Sequence, residues 1–165
     1  MIRAERSTTA SAATVHDLLI DVDAWAVWSR HVASVVAERR LVEPGWVGKT
    51  RAFFAPGATT MVVDEVRPDG GFRWSSTVGP WRLDYDNAVI PEADGCAIRF
   101  TAELQGPAAG LLERLVAPIS AFGQRRRMAR LAALAELVDR SEFGRRAQAE
   151  LPTDPSPSDG AADRR

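Results

Sequence analysis

A chain of 165 residues with 45% hydrophobic content is long enough for one domain with its own core. A formal net charge of −1 excludes any global attraction to nucleic acid or an acidic membrane surface. The single cysteine, Cys96, excludes an internal disulfide framework. The opening Met1-Ile-Arg-Ala-Glu-Arg6 lacks the apolar core of a secretory signal, and no apolar run approaches the ~20 residues of a membrane span. The expectation is a soluble cytoplasmic protein, monomer or homodimer, without nucleic-acid partners and without membrane insertion.

Ile2 to Thr8 alternates in type and reads as a first strand, polar enough to lie at a sheet edge. Ser11 stands where an N-cap belongs, and Val15, Leu18, Leu19 and Val22 follow at helical spacing, so a short helix buries one stripe. Asp21 and Asp23 break it, and Ala24 to Arg30 reads as a second short helix carrying Trp25 and Trp28. Two helices this short need a larger surface to dock on.

Strand patterns follow in quick succession: Val32 to Val42, Val47 to Ala55, Thr59 to Val66, Phe72 to Val78, Trp81 to Ile90 and Cys96 to Leu104. Pro44-Gly45, Pro56-Gly57, Pro68-Asp69-Gly70-Gly71, Gly79-Pro80 and Ala93-Asp94-Gly95 supply the turns. Turns at this spacing predict a meander of antiparallel strands. In the last three strands Phe72, Trp74, Ser76 and Val78 share a face, as do Trp81, Leu83, Tyr85, Asn87 and Val89, and Ile98, Phe100, Ala102 and Leu104. Arg73, Arg82, Asp84, Asp86, Arg99 and Glu103 take the opposite, wet face.

A long helix opens near Pro107, where the missing N–H costs nothing, and runs to about Glu142. Leu111, Leu112, Leu115, Val116, Ile119 and Phe122 form one apolar stripe, and Leu131, Leu134, Leu137 and Val138 form another. Pro118 and Gly123 lie between them, so the expectation is a bend, with the second half anchoring the helix and the first half walling a cavity. The domain spans residues 1–143, and the polar, proline-rich segment 144–165 reads as a disordered tail.

The order strand, two short helices, antiparallel strands and long helix resembles the START/Bet v 1-like (SRPBCC) superfamily, in its bacterial polyketide cyclase/dehydrase branch. The strings carrying the resemblance are Ser11-Ala-Ala-Thr-Val15, Leu18-Leu-Ile-Asp21, Asp23-Ala-Trp25-Ala-Val-Trp28, Asp64-Glu-Val-Arg-Pro68, Pro91-Glu-Ala-Asp-Gly95 and Arg130-Leu-Ala-Ala-Leu134-Ala-Glu136. They cover about residues 2–142. The resemblance implies an α+β helix-grip fold, with a curved antiparallel sheet of about six or seven strands wrapped around the C-terminal helix. It also implies a hydrophobic small molecule (lipid, polyketide or quinone-like) in an internal cavity. No catalytic set is shared across that family, so no catalytic residue carries over.

Site chemistry is sparse in the residues themselves. His16, His31 and Cys96 stand at no metal-ligand spacing, and His16 lies off the apolar stripe of its helix, which predicts an exposed ring. No nucleophile elbow, Walker or dinucleotide glycine motif is present, so neither metal nor cofactor is expected. Cys96, in phase with Ile98 and Phe100, reads as a small buried thiol. His31, three residues after Trp28 near the expected cavity mouth, is a candidate general base beside the alternative of an ordinary hinge histidine. Ser76, Tyr85 and Asn87 fall on the apolar face, where a ligand, water or backbone must satisfy them. The candidate ligand-binding set is therefore Trp28, His31, Phe53, Trp74, Ser76, Leu83, Tyr85, Asn87, Phe100, Ile119 and Phe122. Arg125, Arg126, Arg127 and Arg130 spread around a helix by ~100° per residue and read as a solvated surface. A polyketide cyclase/dehydrase-type enzyme using His31, Tyr85 or Asn87, and an interaction module akin to ribosome- or respiration-associated relatives, are the alternatives to a simple carrier.

Overall fold

The computed structural model describes residues 1–29, 32–52, 57–68 and 70–149. In chain order these form β1 (Ile2–Thr8), α1 (Ala12–Ile20), a 3-10 turn (Val22–Ala24), α2 (Trp25–Trp28), β2 (Val32–Ala37), β3 (Val47–Ala52), β4 (Ala58–Arg67), β5 (Gly71–Val78), β6 (Trp81–Glu92), β7 (Gly95–Gln105) and α3 (Ala109–Ala149). The strands make one antiparallel sheet in the order β1-β7-β6-β5-β4-β3-β2. Its curved form and the long C-terminal helix make a helix-grip fold, as the family resemblance implies.

Turn chemistry and alternation explain the sheet. Gly71 (φ +85°) and Gly95 (φ +131°) take left-handed conformations, and a side chain on either would strike backbone, at the Asn87 carbonyl or the Thr8 carbonyl respectively. With the turns fixed, the register aligns side chains into rows across the inner face. One row runs Val66, Phe72, Asn87, Phe100, Ala4, and a second runs Val63, Trp74, Tyr85, Ala102. A register shift between Val63 and Glu65 lets both Val63 and Val66 face inward while Asp64 stays exposed. Strict alternation along β4 cannot phase Asp64 for that reason.

Two expectations change here. The strand expected from Val32 to Val42 ends at Ala37, and the Val42 N–H pairs instead with the Ile20 carbonyl at 2.9 Å. Val42 and Trp46 are both buried; the Trp46 ring lies 6.0 Å from that of Trp25 on α2, while the Trp46 carbonyl accepts the Val63 N–H of β4 at 2.9 Å. His16 is not exposed: it is 8% accessible, and its Nδ1 accepts the Gly71 N–H at 3.2 Å. The β-strand donor at Gly71 lies at a tight turn, and α1 packs over β5 and β6 so that the imidazole takes it up.

Ser11 caps α1, accepting from the Thr14 N–H at 3.2 Å, and Val15 and Leu19 are fully buried. The second half of α3 is the anchor: Met128, Leu131, Ala132 and Ala135 are buried, and the helix packs on β1, β7, α1 and α2. Polar ties reinforce it, from Thr8 to Glu136 at 2.7 Å and from the Ser11 N–H to Asp139 at 2.7 Å. The first half differs. Leu111, Leu115, Ile119 and Phe122 are 61–78% exposed.

The helix is continuous through Pro118 and Gly123. Proline deprives the Arg114 carbonyl of its helical donor, but both residues are exposed, so water substitutes. Helix also continues past Gly144 to Ala149, and residues 150–165, the rest of the expected tail, lie outside the described residues.

Leu131→Ala should lower unfolding free energy by about 2–5 kcal/mol, against about 0.5 kcal/mol or less for Ile119→Ala, read by denaturant titration. Equal costs would show that both halves of α3 carry packing. Cys96 is fully buried, and burial pushes its thiol up to about 11. Its neutral form is therefore favoured on folding, a contribution present below the ordinary thiol range and lost as pH rises through about 11. Iodoacetamide at pH 8 should leave the native thiol unmodified and label the unfolded chain.

Candidate ligand-binding site

The inner face concentrates its aromatic and orphaned polar groups where α2 and the middle of α3 meet β5, β6 and β7. Trp74 and Tyr85 are cross-strand partners, and their rings stack at 4.0 Å with an interplanar angle of 6°. Trp28 meets Phe100 at 6.4 Å, tilted by 45°. From α3 the Arg127 guanidinium lies 5.4 Å from the ring centroids of both Trp28 and Phe100. Such cation–π contacts supply about 0.5–2 kcal/mol each. Desolvation of an ion costs several kcal/mol, so the rings do not by themselves balance it.

Electrostatics mark the same cluster. Arg127 forms no ion pair or hydrogen bond among the described residues, and its Nε is sealed from solvent without a partner. Burial lowers its guanidinium to about 10, and nearby Tyr85 opposes that fall, so it stays a cation at neutral pH. Burial also raises the Tyr85 hydroxyl above the ordinary phenol range, against the pull of Arg127, which keeps it protonated. Of the five tryptophans, four donate their indole N–H to carbonyls: Trp25 to Leu19, Trp28 to Leu18, Trp46 to Arg39 and Trp81 to Pro107. Trp74 is the exception, its Nε1 buried and without a partner. Gln124, one turn before Arg127, holds a buried Oε1 in the same condition.

Of the sequence-derived set the structure brings Trp28 and Phe100 against Arg127, with Tyr85 in electrostatic reach of it and Trp74 stacked on Tyr85. Asn87 is 4% exposed in the row between Phe72 and Phe100, deeper in the core. Leu83 is half-buried beside Ser76, and the Ser76 hydroxyl donates to the Thr60 carbonyl at 2.8 Å. Ile119 and Phe122 are exposed, and Arg126 covers the Phe122 ring at 5.2 Å. His31 and Phe53 lie outside the described residues.

Arg127 corrects the reading of its run as solvated surface. A signal for its placement is present in the sequence: Arg127, Leu131, Leu134 and Val138 stand at i, i+4, i+7 and i+11, so the arginine extends the anchoring stripe by one turn. Arg125 and Arg126 are exposed.

The outer face is of another kind. Asp86 pairs with Arg67, Asp84 with Arg82 at 2.8 Å, and Glu5 with Arg99 at 2.7 Å. The concavity of about 490 Å³ on that face is lined by five charged side chains and Gln105, which suits water better than an apolar ligand, and the one of about 270 Å³ mixes Arg67, Asp86 and Arg99 with Ala88, Val89 and Ile90. The aromatic and unpartnered polar groups place the candidate site on the inner face, away from both. Among the described residues no helix is long and apolar enough to cross a membrane, and no three His, Cys, Asp or Glu side chains are grouped to hold a metal ion.

Comparison with known proteins supplies the lineage. The family described as "Polyketide cyclase / dehydrase and lipid transport" matches residues 1–138. No curated protein matches the chain in sequence. Among solved structures, a hypothetical protein of Helicobacter pylori is 14% identical, with a TM-score of 0.69 over 81% of this chain and 86% of its own. A protein of Thermus thermophilus is 22% identical, with a TM-score of 0.62 over 83% of this chain and 97% of its own. Norcoclaurine synthase of Thalictrum flavum, as a point mutant in complex with a transition-state analogue, is 13% identical, with a TM-score of 0.65 over 84% and 94%. At these identities the likeness establishes the fold alone.

If Arg127 is an uncompensated cation, Arg127→Met should raise unfolding free energy in ligand-free protein by about 1 kcal/mol or more at pH 7. A loss of that size would show the charge to be balanced within the protein.

Proposed function

This chain belongs to the polyketide cyclase/dehydrase and lipid-transport family, and on that premise we propose that it binds one hydrophobic small molecule, lipid, polyketide or quinone-like, on the inner face of its sheet. The Trp74–Tyr85 stack carries this reading. Two large rings held parallel at 4.0 Å and only half-buried present a flat apolar surface. A core built only for stability would close over that surface and satisfy the indole N–H. Apolar sites with a few oriented polar groups are the usual form of small-molecule pockets, and Tyr85, Trp74 Nε1 and Arg127 fit that description. The first half of α3 is tied at Glu113 to the Leu104 N–H and the Met1 amine, and its exposed apolar stripe beyond that tie contributes little to the core.

A second reading, chemistry on the bound molecule, draws on one observation. Burial holds the Tyr85 hydroxyl protonated beside a cation, so it can donate a proton or hydrogen bond to a carbonyl oxygen on which charge develops. Dehydration or cyclisation of a polyketide would use such a donor. Tyr85→Phe then separates the two readings, since a carrier loses at most part of its affinity, whereas an enzyme loses turnover of a ligand that still binds.

Purified protein heated with a panel of lipids, quinones and aromatic polyketides should melt higher with at least one of them. At 100 times its Kd a ligand stabilises by about 2.7 kcal/mol, or roughly 5–10 °C for a domain of this size. Trp74→Ala should abolish the shift. The absence of any shift across the panel would refute the binding reading.

A further inference from the structure

We propose, resting on the inner-face site above, that the ligand is a monocarboxylic acid with a flat or extended apolar body. Arg127 holds its carboxylate, and its body lies along the Trp74–Tyr85 stack. The cluster is rich in donors and lacks an anion. Arg127 brings a charged fork of N–H groups, Tyr85 a protonated hydroxyl and Trp74 a buried indole N–H without an acceptor. Tyr85 links them, stacked on Trp74 and electrostatically coupled to Arg127.

The contrast with the outer face is informative. Arg67, Arg82 and Arg99 each face a carboxylate although they lie at a wetter surface, where pairing contributes least. Arg127 is the more deeply placed cation, and among the described residues no carboxylate reaches it. A cation left unpaired among the described residues is stabilised by any ligand that brings a counter-charge.

Two features select a carboxylate. A planar guanidinium matches its two oxygens with two parallel hydrogen bonds. The cluster adds no second cation among Trp28, Phe100, Tyr85 and Trp74, so one negative charge neutralises the site and a phosphate dianion leaves it in excess. Preorganisation also favours the acid: Arg127 is already largely stripped of water and held over two rings, so binding need not order it again.

Matched acids and primary amides test the proposal, with 2-naphthoate against 2-naphthamide and octanoate against octanamide. Titrations at pH 7.5 are followed by tryptophan fluorescence and calorimetry on the parent chain, Arg127→Gln and Arg127→Lys, each checked for a cooperative melt. The expected result is an acid preference of about tenfold or more in the parent. It should collapse in Arg127→Gln without loss of amide affinity, and survive in part in Arg127→Lys, which keeps the charge without the fork. If Arg127→Gln does not fold, the acid preference of the parent and its weakening in Arg127→Lys decide. Amides binding as well as acids, or an acid preference that persists without Arg127, overturns the proposal and leaves hydrophobic binding standing. Failure of all four compounds to bind the parent overturns both.

Discussion

The constraint on which the structure depends is the shielding of one sheet face from water. Seven antiparallel strands put rows such as Val66–Phe72–Asn87–Phe100–Ala4 on the inner side, and these rows have no cover of their own. The second half of α3 provides it with Met128, Leu131 and Ala135, while α1 and α2 close the side with Val15, Leu19, Trp25 and Trp28. The polar ties at Glu136 and Asp139 add orientation to a contact whose free energy comes from apolar burial. Everything that distinguishes this molecule lies where that cover is incomplete.

Incomplete cover brings a cation and an indole N–H into an apolar setting without partners among the described residues. Such groups reduce the stability of the empty protein, and binding sites are where such losses persist. The stacked pair, the protonated phenol and the guanidinium converge from three elements, β5, β6 and α3, that are distant in sequence and adjacent only in the fold. The outer face shows the ordinary solution: its acids and arginines neutralise each other pair by pair.

Much of the fold was legible in the residues. Period-two alternation from Phe72 to Leu104 assigned faces that the register reproduces, and Ser11 capped its helix as its position implied. The misreadings came where a local pattern lacked the information. Val32 to Val42 is β-branched at its start, but strand length is set by partners, and Val42 pairs with Ile20 instead of a neighbouring strand. His16 looked exposed by helical phase because its partner, the Gly71 N–H, lies 55 residues away. Asp64 resisted phasing because a register shift cannot be seen in one strand alone.

The sequence by itself determined the α+β order, the antiparallel meander, the face of each late strand and the buried thiol at Cys96. Those follow from periodicity and turn chemistry, which are local. The sequence also marked the second half of α3 as the anchor, but only the tertiary structure decided that Leu111, Leu115, Ile119 and Phe122 stay exposed and that Arg127, unlike Arg125 and Arg126, turns inward. Burial and charge compensation depend on what packs against a residue. For Arg127 the decisive neighbours are Trp28, Tyr85 and Phe100, brought to it by chain segments between 27 and 99 residues away in sequence.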